Sequence, residues 1–179
     1  MSAELIPFGK LNVLIAMQNR QLGEFIRKVL RDGGAENIQR AIEVPHALKL
    51  MRSKNVNLFF VDYDFSEHGG PDFVKFIRLT DGDMSEAPVV MILPQPSKKT
   101  VMECRDAGVN EILALPVTGN LVESRLKHIY AQPKPFIRSA SYIGPCRRRE
   151  QMKAYHGVER RTNQDSKIQY EPAFVKLMT

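Results

Sequence analysis

Between positions 138 and 161 the chain collects six arginines, Arg138, Arg147, Arg148, Arg149, Arg160 and Arg161, with Tyr142 and Tyr155 set among them. A guanidinium is a planar, permanently charged fork that grips phosphate with two hydrogen bonds and stacks on rings. The same fork matches the O6/N7 edge of guanine. Tyrosine adds a flat face on which a base can stack. The chemistry these residue types offer is therefore contact with phosphates and with the edges and faces of bases. Gly144-Pro145 predicts a turn that presents Tyr142 and the triple arginine to one ligand. A run of arginines is equally the composition of a solvated basic face, so general attraction to a polyanion stays open on these residues alone.

The elements that must position this segment lie upstream of it. Five short apolar runs predict strands: Val13–Ala16, Ile38–Ile42, Leu58–Val61, Val89–Leu93 and Glu111–Ala114. Their near-continuous apolar character is that of strands buried on both faces of a parallel sheet. Between them run stretches with helical spacing. Leu22, Phe25, Ile26, Val29 and Leu30 form one stripe, with Asn19 placed to cap it and Gly33-Gly34 to stop it. Ala47, Leu48 and Met51 mark a second helix, and Phe73, Val74, Phe76 and Ile77 a third. Val101, Met102 and Ala107 mark a fourth between Ser97 and Gly108, and Leu121, Val122, Leu126 and Ile129 a fifth. Five strand-then-helix repeats predict an α/β fold, a doubly wound five-stranded parallel sheet, over residues 1–132.

Charge separates the two regions. Residues 1–132 hold sixteen Lys/Arg and sixteen Asp/Glu, whereas residues 133–179 hold ten against four, so the whole net charge of +6 belongs to the second region. Gln132-Pro133-Lys134-Pro135 reads as a stiff linker. Beyond it aliphatic residues are sparse, which predicts a C-terminal extension lacking its own core and disordered without ligand. A membrane span is excluded, because no apolar run exceeds five residues, and one of the two that reach it, Val89–Leu93, is closed by Pro88 and Pro94. Two cysteines are too few for a disulfide framework and suggest a reducing, cytoplasmic setting. The four histidines share no metal spacing, and no metal is expected.

Residues 11–130 resemble the receiver domain of bacterial response regulators, the CheY-like fold. The resemblance rests on strand–helix order and on the stretch Phe60-Val61-Asp62-Tyr63-Asp64-Phe65-Ser66-Glu67-His68-Gly69-Gly70, with Gly108 and Pro116 in matching places. It implies that Asp62 stands where the family's phosphoacceptor stands. The family chemistry needs Mg²⁺ held by further acids, and phosphoryl transfer needs its charge neutralised. Here Met17 and Gln18 replace the acidic pair, Leu93 the Ser/Thr, Leu115 the lysine and Ile112 the switch aromatic. Asp62 is accordingly read as a vestigial phosphoacceptor, and the domain as a degenerate receiver without catalytic residues.

A degenerate receiver followed by an arginine-rich tail resembles the CheY-like cyclic di-GMP effectors of alphaproteobacteria. That resemblance implies a non-enzymatic protein. Its tail binds cyclic di-GMP through Arg138, Tyr142, Arg147, Arg148 and Arg149, with Tyr155, Arg160 and Arg161 as further contacts. It also implies a protein partner such as the flagellar motor switch, and recruitment to the flagellar pole. The alternatives are a receiver-linked nucleic-acid-binding regulator and a response regulator phosphorylated at Asp62. Arg78-Leu79-Thr80-Asp81 has the RxxD spacing of inhibitory cyclic di-GMP sites, a four-residue match that helix ends often produce.

Overall fold

Each apolar run forms a strand. The computed structural model of the chain describes residues 6–147, 168–170, 172 and 175. Along it lie β1 (Asn12–Ala16), α1 (Arg20–Asp32), β2 (Asn37–Ala41), α2 (Val44–Ser53), β3 (Leu58–Asp62), α3 (Gly70–Arg78), β4 (Val89–Leu93), α4 (Lys98–Ala107), β5 (Glu111–Ala114) and α5 (Gly119–Ala131). Single 3-10 turns occupy Phe8–Lys10 and Asp83–Glu86. The five strands are parallel in the order β2-β1-β3-β4-β5. This is the doubly wound sheet that the strand–helix alternation predicts.

Local chemistry sets the helix ends. The Asn19 side chain accepts from the Leu22 amide at 3.0 Å and starts α1. Ser97 and Thr100 cap α4 reciprocally. Gly108, at φ 92°, ends α4 in the left-handed region that favours glycine. Two apolar layers sandwich the sheet. One gathers Val13, Ile15, Ile26, Leu30, Leu126 and Ile129, and the other Leu14, Phe59, Val61, Phe73, Val74 and Ile77. The layers differ from the sequence stripes in three helices: α1 and α3 leave Phe25 and Phe76 exposed, and α4 buries Cys104 and Ala107 and turns Val101 and Met102 to solvent. Among the described residues no helix is long and apolar enough to cross a membrane.

The segment after Pro133 departs from expectation. Phe136–Ser139 and Tyr142–Pro145 form an antiparallel hairpin, β6 and β7, and Ile168–Tyr170 adds β8 on the other side of β6. Phe136, Ile137 and Tyr142 are buried, and β7 packs against α3 and α4. An isolated hairpin is marginal in water. Burying three such side chains contributes on the order of 5 kcal/mol, at roughly 1.5–3 kcal/mol each. The extension therefore borrows the core of the α/β domain instead of needing one of its own. Gly144-Pro145 lies inside β7, and the reversal falls at Ala140-Ser141, where the Ser139 hydroxyl accepts from the Tyr142 amide at 3.1 Å. The predicted turn was misplaced because Gly144 serves close packing: an added Cβ would meet the Tyr142 ring and Gly108 at under 3 Å.

Candidate functional site

The carboxyl ends of the parallel strands carry Asp62. It closes β3 half-buried, and its carboxylate accepts a long contact, 3.4 Å, from the Asp64 amide. Burial raises its pKa from the ordinary carboxylate value; the Asp64 and Tyr63 amides oppose that rise, and the Asp64 charge adds to it. Among the described residues no cation pairs with it. Met17 is fully buried at the end of β1, Leu93 is fully buried at the end of β4, and Leu115 is exposed before Pro116. Gln18 is exposed, and its carbonyl is occupied by Arg40 Nη2 at 2.9 Å. A divalent ion of the Mg²⁺ class demands near-octahedral oxygen ligation, and the family chemistry sets an acidic pair beside the acceptor aspartate. Asp62 and the exposed Asp64 are the acids offered here, and no group of three metal-ligating side chains forms among the described residues. These residues do not fit the ion. The Tyr63 hydroxyl, next along the chain, donates to Glu103 and ties the β3–α3 loop to α4. That bond, with burial, holds the phenol up at about 12.

The amino ends of the strands are built differently. Arg78, at the end of α3, is fully buried with no carboxylate among its hydrogen-bond partners. Its guanidinium donates to the carbonyls of Gly108 (2.8 and 3.0 Å), Ser85 (2.8 Å) and Ala87 (2.8 Å), and to Asn110 Oδ1 (2.9 Å). Burial pushes Arg78 down to about 10, which still leaves it charged at neutral pH. The Phe136 ring lies 5.4 Å from the guanidinium carbon, so the hairpin caps the buried charge through its π face. The RxxD match at Arg78 is thereby a structural clamp, since every arm of that guanidinium is engaged inside the protein.

Around this clamp the hairpin brings together three of the eight ligand-binding residues the sequence singled out. Arg138 donates to the Ser85 hydroxyl at 3.2 Å. Arg147 lies 3.9 Å above the Tyr142 ring and donates to Asp106 Oδ1 at 2.5 Å, while Arg105 reaches the same carboxylate at 3.2 Å. Tyr142 is 8% exposed and donates to the Pro145 carbonyl at 2.7 Å. Burial lifts its phenol to about 12. One face of the Tyr142 ring carries Arg147, and its hydroxyl serves the hairpin. Arg148, Arg149, Tyr155, Arg160 and Arg161 lie outside the described residues. Sequence reasoning missed Asp106 and the buried partners of Arg78. It also missed Glu111, whose carboxylate gathers His128 (2.7 Å), Arg125 (3.5 Å) and Lys134 (3.5 Å) and so pins the linker to β5 and α5. An acid inside an apolar strand run was the available signal for Glu111.

Three comparisons bear on this arrangement. The chemotaxis protein CheY-3 of Vibrio cholerae is 26% identical over 127 residues, covering 71% of this chain and 97% of that protein. The chemotaxis protein CheY of Pseudomonas aeruginosa is 24% identical over 120 residues, covering 67% of this chain and 96% of that protein. Among solved structures, CheY4 of Vibrio cholerae superposes with a TM-score of 0.61 at 18% identity over 66% of this chain and 98% of its own, which shows the fold. The model of the response regulator receiver domain matches residues 13–127, the span from β1 into α5. With sheet order, Asp62 at the end of β3 and a family match over well beyond half the sequence, the chain belongs to the response regulator receiver domain family.

Proposed function

We propose that this receiver domain signals without an aspartyl-phosphate relay, as a non-enzymatic cyclic di-GMP effector. The arginine-rich segment after the hairpin captures the dinucleotide, and the loaded protein docks on a partner such as the flagellar motor switch. The observation that carries this reading is the placement of charge at the two ends of the sheet. Among the described residues no cation pairs with Asp62, whereas Arg147, the first of three consecutive arginines, is held on α4 by Asp106 and on Tyr142. Cyclic di-GMP presents two phosphates and two guanines, and several arginine forks suit both. Arg138, Arg147, Arg148 and Arg149 are the proposed contacts, with Tyr155, Arg160 and Arg161 extending them, and Tyr142 supporting Arg147 from below.

Calorimetric titration of the full chain with cyclic di-GMP, cyclic di-AMP and GTP side by side tests the ligand. Saturable binding restricted to cyclic di-GMP is expected, and equal affinity for all three would reduce the segment to a polyanion binder. Incubation with acetyl phosphate and Mg²⁺, followed by intact mass measurement, tests the other half. The expected result is an unchanged mass. A phosphoryl adduct that disappears in Asp62→Asn would restore the family relay.

A further inference from the structure

Beside the position where the family's acidic pair would sit, the structure carries a site of opposite sign. A crevice of about 510 Å³ opens between the carboxyl ends of β1 and β2, lined by Gln18, Arg20, Arg40, Ile42 and Glu43. That volume is in the range of small-molecule sites. Arg40 leaves β2 on the side facing α1 and crosses the first turns of that helix. It can do so because position 23, inside α1, is glycine: an added Cβ would meet Arg40 Nε at 2.8 Å and Cδ at 3.1 Å. Glycine in a helix interior is less favourable than alanine, so the cut-out is a feature the helix maintains against its own propensity.

The guanidinium is held at one corner, by Nη2 on the Gln18 carbonyl at 2.9 Å; Nε is sealed against α1 at Gly23, which leaves the terminal nitrogens as the donors within reach of a ligand. Among the described residues neither Arg20 nor Arg40 forms an ion pair, and Glu43 in the same crevice forms none. A preorganised guanidinium with unused donors, a second arginine beside it and the half-exposed Ile42 side chain as an apolar wall make an anion site with a contact surface. We propose that this crevice binds the phosphate group of a small phosphorylated ligand, with Arg40 and Arg20 as the phosphate contacts. Glu43 then selects ligands that offer a hydrogen-bond donor next to the phosphate. The site lies at the end of the sheet opposite the hairpin and stands independently of the cyclic di-GMP reading.

Amide-resolved NMR titration of the full chain with inorganic phosphate, against sodium chloride at matched ionic strength, tests it. Saturable shifts at Gln18, Asn19, Arg20 and Ile42 are expected with phosphate and not with chloride. Arg40→Gln should weaken phosphate binding at least tenfold, and Arg20→Gln, at an exposed position, severalfold. Glu43→Gln should strengthen it by removing a repelling charge. Gly23→Ala should weaken it by displacing Arg40, even though alanine favours the helix. The exposed Lys75→Gln should leave it unchanged. Absence of saturable shifts in this crevice overturns the proposal. So does phosphate affinity that survives both arginine substitutions in variants whose spectra remain dispersed.

Discussion

At the carboxyl ends of the strands, half-buried Asp62 meets weak amide contacts from its own loop and, among the described residues, no cation. At the amino ends, a fully buried guanidinium meets four acceptors and an aromatic ring. Both places put a charge where water is scarce, and only one of them compensates it. Uncompensated burial shifts a group toward its neutral form, whereas a network of oriented dipoles retains the charge. The difference teaches where this receiver fold keeps its rigid polar construction. The end that holds a metal and a phosphoryl group in the family chemistry is here apolar at Met17, Leu93 and Leu115, and the opposite end is clamped, capped by the hairpin and leads directly into the triple arginine.

Breaking the well-built end should have the largest effect. Arg78→Ala leaves the Gly108, Ser85 and Ala87 carbonyls without their donor and a void beneath Phe136, a loss of about 3–5 kcal/mol. Urea unfolding would show it as a lower midpoint with an unchanged slope. A loss within 1 kcal/mol would mean that water replaces the guanidinium and that the clamp is incidental.

Next in size, replacing Arg147, Arg148 and Arg149 together by lysine keeps net charge and removes the planar fork. Affinity for cyclic di-GMP should fall about tenfold, roughly 1.4 kcal/mol. A lysine variant that binds equally well would show that charge alone operates at this end. Tyr142→Phe should cost about 1 kcal/mol by stranding the Pro145 carbonyl while leaving the ring under Arg147. Thermal melting reads this change, and an unaltered midpoint would say that the hydroxyl bond is replaced by solvent.

The smallest effect belongs to the other end and has a definite sign. Asp62 has a raised pKa in the folded protein, so the native state binds its proton more tightly than the unfolded chain. Stability from this group is complete below the unfolded carboxylate value of about 4 and is lost as pH rises through the folded value. Asp62→Asn should therefore raise the melting midpoint slightly at pH 7 and leave it unchanged under acid conditions. A variant that loses stability at pH 7 would reveal a cation partner for Asp62.

The sheet was legible in the sequence because both of its faces are covered: strands buried twice read as apolar runs, and Val89–Leu93 and Glu111–Ala114 coincide with their runs. The substitutions around Asp62 were legible for the same local reason, since each is a single residue at a strand end. The hairpin was not legible. Phe136, Ile137 and Tyr142 are too few to announce a core, and their burial depends on α3 and α4, over thirty positions away in sequence. Arg78 was visible only as part of an RxxD match; its burial was not legible, because nothing local distinguishes a buried arginine at a helix end from an exposed one, and its acceptors are mostly main-chain carbonyls, which every residue has.

The central claim is that signal enters at the hairpin end and not at Asp62. Mapping amide chemical shifts of the full chain during titration with cyclic di-GMP tests it most directly. Saturable changes are expected at Arg105, Asp106, Arg138, Tyr142 and Arg147, with Asp62, Tyr63 and Asp64 unmoved. Saturable changes centred on Asp62, or no saturable change anywhere in the spectrum, would contradict it.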